Sequence, residues 1–198
     1  MLLCIDSGNT NVVFAVFDHK DNLLDQWRIS SANRTVNELI ILTEQCISSS
    51  KIQPSDITSS IIASVVPSSL QNLILLCKKY FNCDPQIVGN PNINLGIEVK
   101  LKNPDEVGAD RLVNAVAAHQ SYKGPMIIID FGTATTFDVI DTNGNYLGGV
   151  IAPGVNLSLE TLHKSAAQLP RIDIKHTKSV IGKNTIEAMQ SGIYWGYI

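Results

Sequence analysis

At 198 residues and 44% hydrophobic content, the chain can bury a substantial core, as one domain or two small ones. Its net charge of −3 and scattered lysines and arginines exclude the basic stripe of a nucleic-acid binder, and no apolar run approaches the ~18 residues of a membrane span. Asp6 interrupts the apolar start before a signal-peptide core forms, and Cys4, Cys46, Cys77 and Cys83 have neither CxxC spacing nor disulfide-scaffold density, so the expected compartment is the cytoplasm.

Residues 2–6, 12–18 and 23–29 read as a three-stranded meander. A helix is expected over 36–48, with Leu39, Ile40, Leu42 and Ile47 on its apolar side. The run 59–68 reads as a buried strand stopped by Pro67, 69–81 as a helix and 86–89 as a short strand, giving the order βββαβαβ. In "KNPDEVGADRLVNAVAAHQ" (102–120), Asn103 is placed to cap a helix whose first residue is Pro104. Glu106 would close a capping box, and Leu112, Val113, Val116 and Ala117 would form the buried stripe.

A new start follows at Met126. In "IIIDFGTATTFDVI" (127–140) three isoleucines, readable as a buried central strand, run into Asp130, Gly132, Thr133, Thr135 and Thr136. A buried carboxylate needs a partner, a cation or solvent. The pattern suits a phosphate with its cation, and it equally suits an ordinary hairpin, because Asp, Gly and Thr form turns and Thr favours strands. Helices are expected over 154–169 and 184–198.

The N-terminus has the same grammar: "MLLCIDSGNTNVVFAVFD" leads from apolar residues into Asp6, Ser7, Gly8, Asn9 and Thr10. Sliding one segment over the other by 124 positions sets Asp6 on Asp130, Gly8 on Gly132, Val16 on Ile140 and Leu23 on Leu147, and both copies reach a polar turn, at 18–22 and 141–145. Such a spacing is too long for a solenoid and predicts two related half-domains. Two hairpins offering backbone N–H groups, hydroxyls and one carboxylate each could grip a polyphosphate from opposite sides and hold its metal ions, which predicts a nucleotide cleft.

The hairpins resemble the phosphate-binding loops of the actin, sugar kinase and Hsp70 ATPase superfamily. Within it, "DSGNTN" (6–11), "GADR" (108–111), "DFGTATTFD" (130–138), "GGVIAPG" (148–154) and "IGKNT" (181–185) together resemble type III pantothenate kinase, over almost the whole chain. The resemblance implies an α/β protein of two ribonuclease H-like (actin-like) half-domains, with mixed sheets flanked by helices and the cleft between them. Residues 1–125, including the GADR helix, would be the first half, and 126–198 the start of a second that stops short of its usual length. The implied activity is ATP-dependent phosphorylation of pantothenate to 4′-phosphopantothenate, the first step of coenzyme A biosynthesis. The alternatives are a non-catalytic regulatory or accessory protein on the same fold and a kinase for another small alcohol.

By the same resemblance Asp110 is the general base and Arg111 contacts substrate, with Gly108 and Ala109 lining that site; from the residues alone this segment is the strongest catalytic candidate, with a solvated helix face as the lesser alternative. Asp6 would position Mg²⁺ on ATP, and Asp130 would hold a monovalent cation, K⁺ or NH₄⁺. Ser7, Gly8, Asn9, Thr10, Asn11, Val12, Val13 and Thr133 complete the implied ATP site. Thr185 would reach pantothenate across a homodimer interface; without the resemblance it reads as a helix N-terminal residue. Ile186, Met189, Ile193 and Tyr197, widened by Tyr194, Trp195 and Ile198, form the stripe expected to seek a partner. Leu101 departs from the family, in which a tyrosine contacts substrate there. His19, His119, His163 and His176 lack metal-ligand spacing and are expected to be structural.

Overall fold

The computed structural model describes residues 1–50, 52–166 and 168–198. The chain divides into two compact units, one of Met1–Met126 with Ile140–Leu147, the other of Ile127–Val139 with Gly148–Ile198.

The first unit is built on a five-stranded sheet ordered β3-β2-β1-β4-β5. Strands β1 (Leu2–Ser7), β2 (Asn11–Phe17) and β3 (Leu23–Ser30) form the expected antiparallel meander; β4 (Ser59–Ser64) and β5 (Pro85–Ile87) extend it parallel to β1. Alternation decides which face is covered: Leu3 and Ile5 on β1 and Val12, Phe14 and Val16 on β2 are buried. They pack with Trp27, whose ring stacks on Phe14 at 5.1 Å, and with Leu39, Ile47, Leu73, Leu76 and Cys77 from helices α1 (Val36–Ile47) and α2 (Pro67–Tyr80). Thr35 starts α1 with a full capping box, its N–H reaching the Glu38 carboxylate at 2.8 Å. Pro67 opens α2 rather than ending β4, since proline fits the first turn of a helix, where its missing N–H costs nothing.

The helix expected from Pro104 is two elements. Pro104–Glu106 is a single 3₁₀ turn, Val107 and Gly108 are extended, and α3 runs Ala109–Ser121. Asn103 makes no capping bond; its amide instead meets the Glu106 carboxylate side chain to side chain at 2.7 Å. The buried face of α3 is Ala109, Leu112 and Ala115; Val113 and Val116 are half-buried and Ala117 is exposed. The small residues lie inward because α3 packs against β4, and close packing favours short side chains.

A second sheet is ordered β6-β7-β8, from Met126–Phe131, Ala134–Ile140 and Tyr146–Pro153. Strand β6 is an edge, not the expected buried central strand: Ile127 (64% exposed), Ile129 and Phe131 (68%) share one face that no layer of the described residues covers, and Asp130, on the opposite face near the strand's end, is exposed too. Helix α4 spans Val155–Ser165 and α5 Thr185–Gly196; Ala167, within the predicted 154–169 helix, lies outside the described residues. No helix among the described residues is long and apolar enough to cross a membrane.

The repeat is visible in three dimensions, with one shift. β1 and β6 begin 124 positions apart (Leu2 and Met126), but β2 and β7 are 123 apart (Asn11 and Ala134), so the second loop is one residue shorter. The turns after β2 and β7 correspond bond for bond in this shifted register. Asp18 Oδ1 accepts from the Lys20 and Asn22 N–H groups, as Asp141 Oδ1 does from Asn143 and Asn145, and each Asn amide returns to Oδ2 of its aspartate. Asp21 (φ 61°) and Gly144 (φ 85°) both take the left-handed conformation these turns require. Leu23 therefore corresponds to Tyr146, not to Leu147.

Candidate active site

In the first unit, the carboxyl ends of β1 and β4 meet the start of α3. Ser7 and Ser64 are neighbours across the parallel pair, and the next residue, Val65, donates its N–H to the Ser7 carbonyl at 3.0 Å. Val65 also packs on the head of α3, where a Cβ on Gly108 would lie 3.3 Å from its Cγ1. One residue therefore joins the Asp6–Asn11 loop to the GADR segment, which are far apart in sequence.

The loop itself is braced. Gly8 N–H closes it on Asn11 O at 2.9 Å, the Ser31 hydroxyl donates to Gly8 O, and Ser31 N–H donates to Thr10 O at 3.0 Å. Ser7 is buried, its hydroxyl 3.0 Å from that of Ser69, and the Val12 side chain is in the core. Asp6, Asn9 and Thr10 are exposed, with Gly8, Asn11 and Val13 half-buried, so a carboxylate, an amide and a hydroxyl face outward from a fixed backbone. That set of hard oxygen donors fits Mg²⁺, which binds through one or two carboxylates and keeps water and phosphate oxygens as its other ligands.

Asp110 sits in the first turn of α3, and its Oδ1 accepts the Arg111 N–H at 2.7 Å. Gly108 is needed here: a Cβ would come within 2.5 Å of Asp110 Oδ1 and push the carboxylate from its place. The Arg111 guanidinium carbon lies 5.6 Å above the centre of the Tyr146 ring.

In the second unit, Asp130 is the penultimate residue of β6, and Gly132 N–H closes the loop on Ala134 O at 2.9 Å. Thr133 is exposed, and its carbonyl accepts the Gly154 N–H at 3.0 Å. The Gly132 and Thr133 carbonyl oxygens converge on Gly154, where a Cβ would be 2.4 and 2.5 Å from them. A carboxylate and clustered carbonyls are hard donors that fit a monovalent cation such as K⁺. Thr185 is the first residue of α5, capped by Asn184, whose Oδ1 accepts the Glu187 N–H at 2.9 Å. It lines an open groove of about 570 Å³ with Ser158, Leu162, Leu169, Met189 and Ile193. The apolar stripe of α5 thus divides: Met189 and Ile193 are buried, whereas Ile186, Trp195 and Ile198 are exposed.

Sequence reading passes over Ser31, Val65, Tyr146 and Gly154. Val65 acts through its main-chain N–H, and Ser31 through its N–H and its hydroxyl, at positions set by the sheet that no local pattern reveals; Gly154 closes "GGVIAPG", a motif whose last residue is the signal.

The type III pantothenate kinase family profile matches residues 2–198. Type III pantothenate kinases from Rhodospirillum rubrum and Paramagnetospirillum magneticum are 58% and 56% identical to this chain over its whole length, which spans 77% and 76% of theirs. Among solved structures, a conserved Baf-family protein from Campylobacter jejuni matches with a TM-score of 0.60 at 18% identity, over 98% of this chain and 75% of that one. A protein described as a 2-dehydro-3-deoxygalactonokinase from Sinorhizobium meliloti matches at 0.54 and 13%, over 84% and 57%. These two likenesses concern the fold, an α/β architecture of mixed sheets with flanking helices. By its full-length match, the chain belongs to the type III pantothenate kinase family.

Proposed function

We propose that the chain phosphorylates pantothenate from ATP, opening coenzyme A biosynthesis, with Asp110 as general base. The observation that carries this reading is the convergence, through Val65, of the Asp6–Asn11 loop and the Asp110 carboxylate at one end of the first sheet. Phosphoryl transfer from ATP to an alcohol needs little covalent chemistry from a protein: a carboxylate within reach of the hydroxyl, alignment, and neutralised charge. Asp110 has Oδ1 engaged by the Arg111 N–H and takes the proton of the primary hydroxyl on Oδ2. The alcohol oxygen then bonds the γ-phosphorus as the bond to the ADP oxygen breaks. Arg111 meets the substrate's carboxylate with charge-assisted bonds.

Asp6 is the residue that would hold Mg²⁺ on the ATP phosphates, and Asp130 the residue for a monovalent cation, K⁺ or NH₄⁺; bound cations supply charge neutralisation for the transferred group. Gly8, Asn9, Thr10 and Asn11 are assigned to the phosphates, and Thr133 carries the same chemistry in the second hairpin. Thr185 is assigned to pantothenate at a second copy's site in a homodimer, a reading supported by the exposed Ile186, Trp195 and Ile198 on α5. Four free thiols and dependence on ATP favour the cytoplasm.

Steady-state assay with ATP, Mg²⁺, K⁺ and a panel of small alcohols tests the substrate, and Asp110→Asn tests the base. Asparagine keeps an Oδ1 for the Arg111 N–H, so the fold should persist while kcat falls about 10²- to 10⁴-fold. Wild-type turnover by a folded Asp110→Asn enzyme, or preference for another alcohol, would reject the assignment.

A further inference from the structure

Tyr146 is 1% exposed, opens β8, and supports the Arg111 guanidinium on its ring at 5.6 Å. Its position is fixed by the main chain. Tyr146 N–H donates to Glu98 O at 2.9 Å, and its carbonyl accepts the Lys100 N–H at 2.8 Å, so residues 98–100 run beside it as a short parallel bridge about Val99. The preceding turn is tied to the same segment: Asn145 Oδ1 accepts the Glu98 N–H at 3.1 Å, and Lys100 Nζ reaches Asp141 Oδ2 at 3.4 Å.

The turn also packs on α3. Gly144 lies so close to His119 that a Cβ there would be 2.4 Å from the ring. Arg111, Ala115 and His119 are spaced four apart and share one helix face, and Ala115 at its centre has no exposed surface. The turn and Tyr146 thus form a brace alongside the face that carries Arg111.

The internal repeat shows that the brace does not need a tyrosine in order to fold. The turn at 18–22 has the same aspartate–asparagine bonds and the same left-handed residue, yet at the position matching Tyr146 it carries Leu23, which is 52% exposed. The hairpin is satisfied by leucine, so the buried aromatic ring answers to its surroundings, and among the groups it meets is the guanidinium next to the proposed base.

We infer that Tyr146 is a positioning residue, holding Arg111 in the orientation that receives the anionic end of the substrate. The inference rests on the substrate-binding role proposed for Arg111. An arginine restrained on a buried ring has lost part of its rotamer freedom before substrate arrives, which lowers the ordering cost of binding.

The test is a double-mutant cycle in the purified enzyme, read as KM and kcat for pantothenate. Tyr146→Leu should raise the pantothenate KM roughly 3- to 30-fold, the range of a partly desolvated cation–π contact, while kcat changes little. Tyr146→Phe, which keeps the π face, should recover KM to within about 2-fold of wild type. In an Arg111→Ala background Tyr146→Leu should add nothing further. Ile140→Val, which opens a small cavity at the buried end of β7 just before the turn, should lower the melting temperature without moving KM. Additive effects in the Arg111→Ala background overturn the inference, as does a Phe variant as impaired as Leu, or an Ile140→Val enzyme with the same rise in KM. If Arg111→Ala alone leaves the pantothenate KM unchanged, the role proposed for Arg111 fails and takes the inference with it, an outcome distinct from a sensitive Arg111 with no coupling to Tyr146.

Discussion

Replacing Gly154 by alanine adds a single methyl group, and the structure gives its cost a definite origin. The backbone at Gly154 is at φ −65° and ψ 158°, a conformation alanine adopts freely, so no dihedral strain is involved. The methyl would be 2.4 Å from Gly132 O and 2.5 Å from Thr133 O, against 3.4 Å for an ordinary contact, so the loop or α4 must retreat by about 1 Å. Both obstacles are backbone, and the retreat stretches the 3.0 Å bond from Gly154 N–H to Thr133 O. Overpacking of this kind costs about 1–3 kcal/mol, or roughly 2–12 °C in melting temperature for a chain of this length. If Thr133 serves the ATP phosphates, the ATP KM should rise as well. Gly192→Ala is the matched control: it lies inside α5 with nothing within 4 Å of the new methyl, and should stabilise by about 0.4–1 kcal/mol. Calorimetry and ATP titration of the two variants decide the matter. A Gly154→Ala enzyme with wild-type melting temperature and ATP KM would refute the steric reasoning.

Asp130→Ala should remove any dependence of the rate on K⁺ together with most of the rate; equal wild-type rates in Na⁺-only and K⁺ buffers would count against the cation role. Gly182→Ala should displace the start of α5, because its methyl would be 2.3 Å from Ala188 N and 2.5 Å from Glu187 C, and should raise the pantothenate KM if Thr185 contacts substrate. The Asp141 carboxyl is held down to about 2, first by the Asn145 backbone N–H and then, against some desolvation, by the Asn145 amide, the Asn143 N–H and Lys100. A carboxyl depressed in the folded state contributes stability above its unfolded value near ~3.9 and loses it as pH falls towards the folded one. Carboxyl NMR titration should place Asp141 near that lower value, and the protection of the Asn145 amide, its exchange rate relative to that of an unstructured peptide at the same pH, should fall only as pH drops from about 4 to 2. An Asp141 titrating like an ordinary exposed aspartate would contradict the bonding of the turn.

Much of this was legible because local chemistry and tertiary demand coincide. The strand alternation of Leu3 and Ile5 and the capping box at Thr35 are local signals that the fold keeps. The misreadings arise where the deciding partner is remote. Asn103, Pro104 and Glu106 spell a helix start, but the chain stays extended at Val107 and Gly108 and begins α3 only at Ala109, against Val65. Ile127–Ile129 spell a central strand, and periodicity says nothing of how many layers lie over it.

The two hairpins also show how a repeat diverges. What persists is the part that closes the chain: Asp18 with Asn22, Asp141 with Asn145, and a left-handed residue before each asparagine. What changes is what lies on either side. The first loop closes from Gly8 to Asn11, is held by Ser31 and presents Asn9 and Thr10; the second closes one residue sooner, from Gly132 to Ala134, and is held instead by Gly154 through Thr133 O. Past the turn, exposed Leu23 is matched by buried Tyr146 under Arg111. A shared turn fixes the register of both hairpins, which leaves loop length, the bracing residue and the residue after the turn free to differ. Those are the positions at which one copy takes the phosphate-binding role proposed beside Asp110, while the other places a ring under the arginine that follows it.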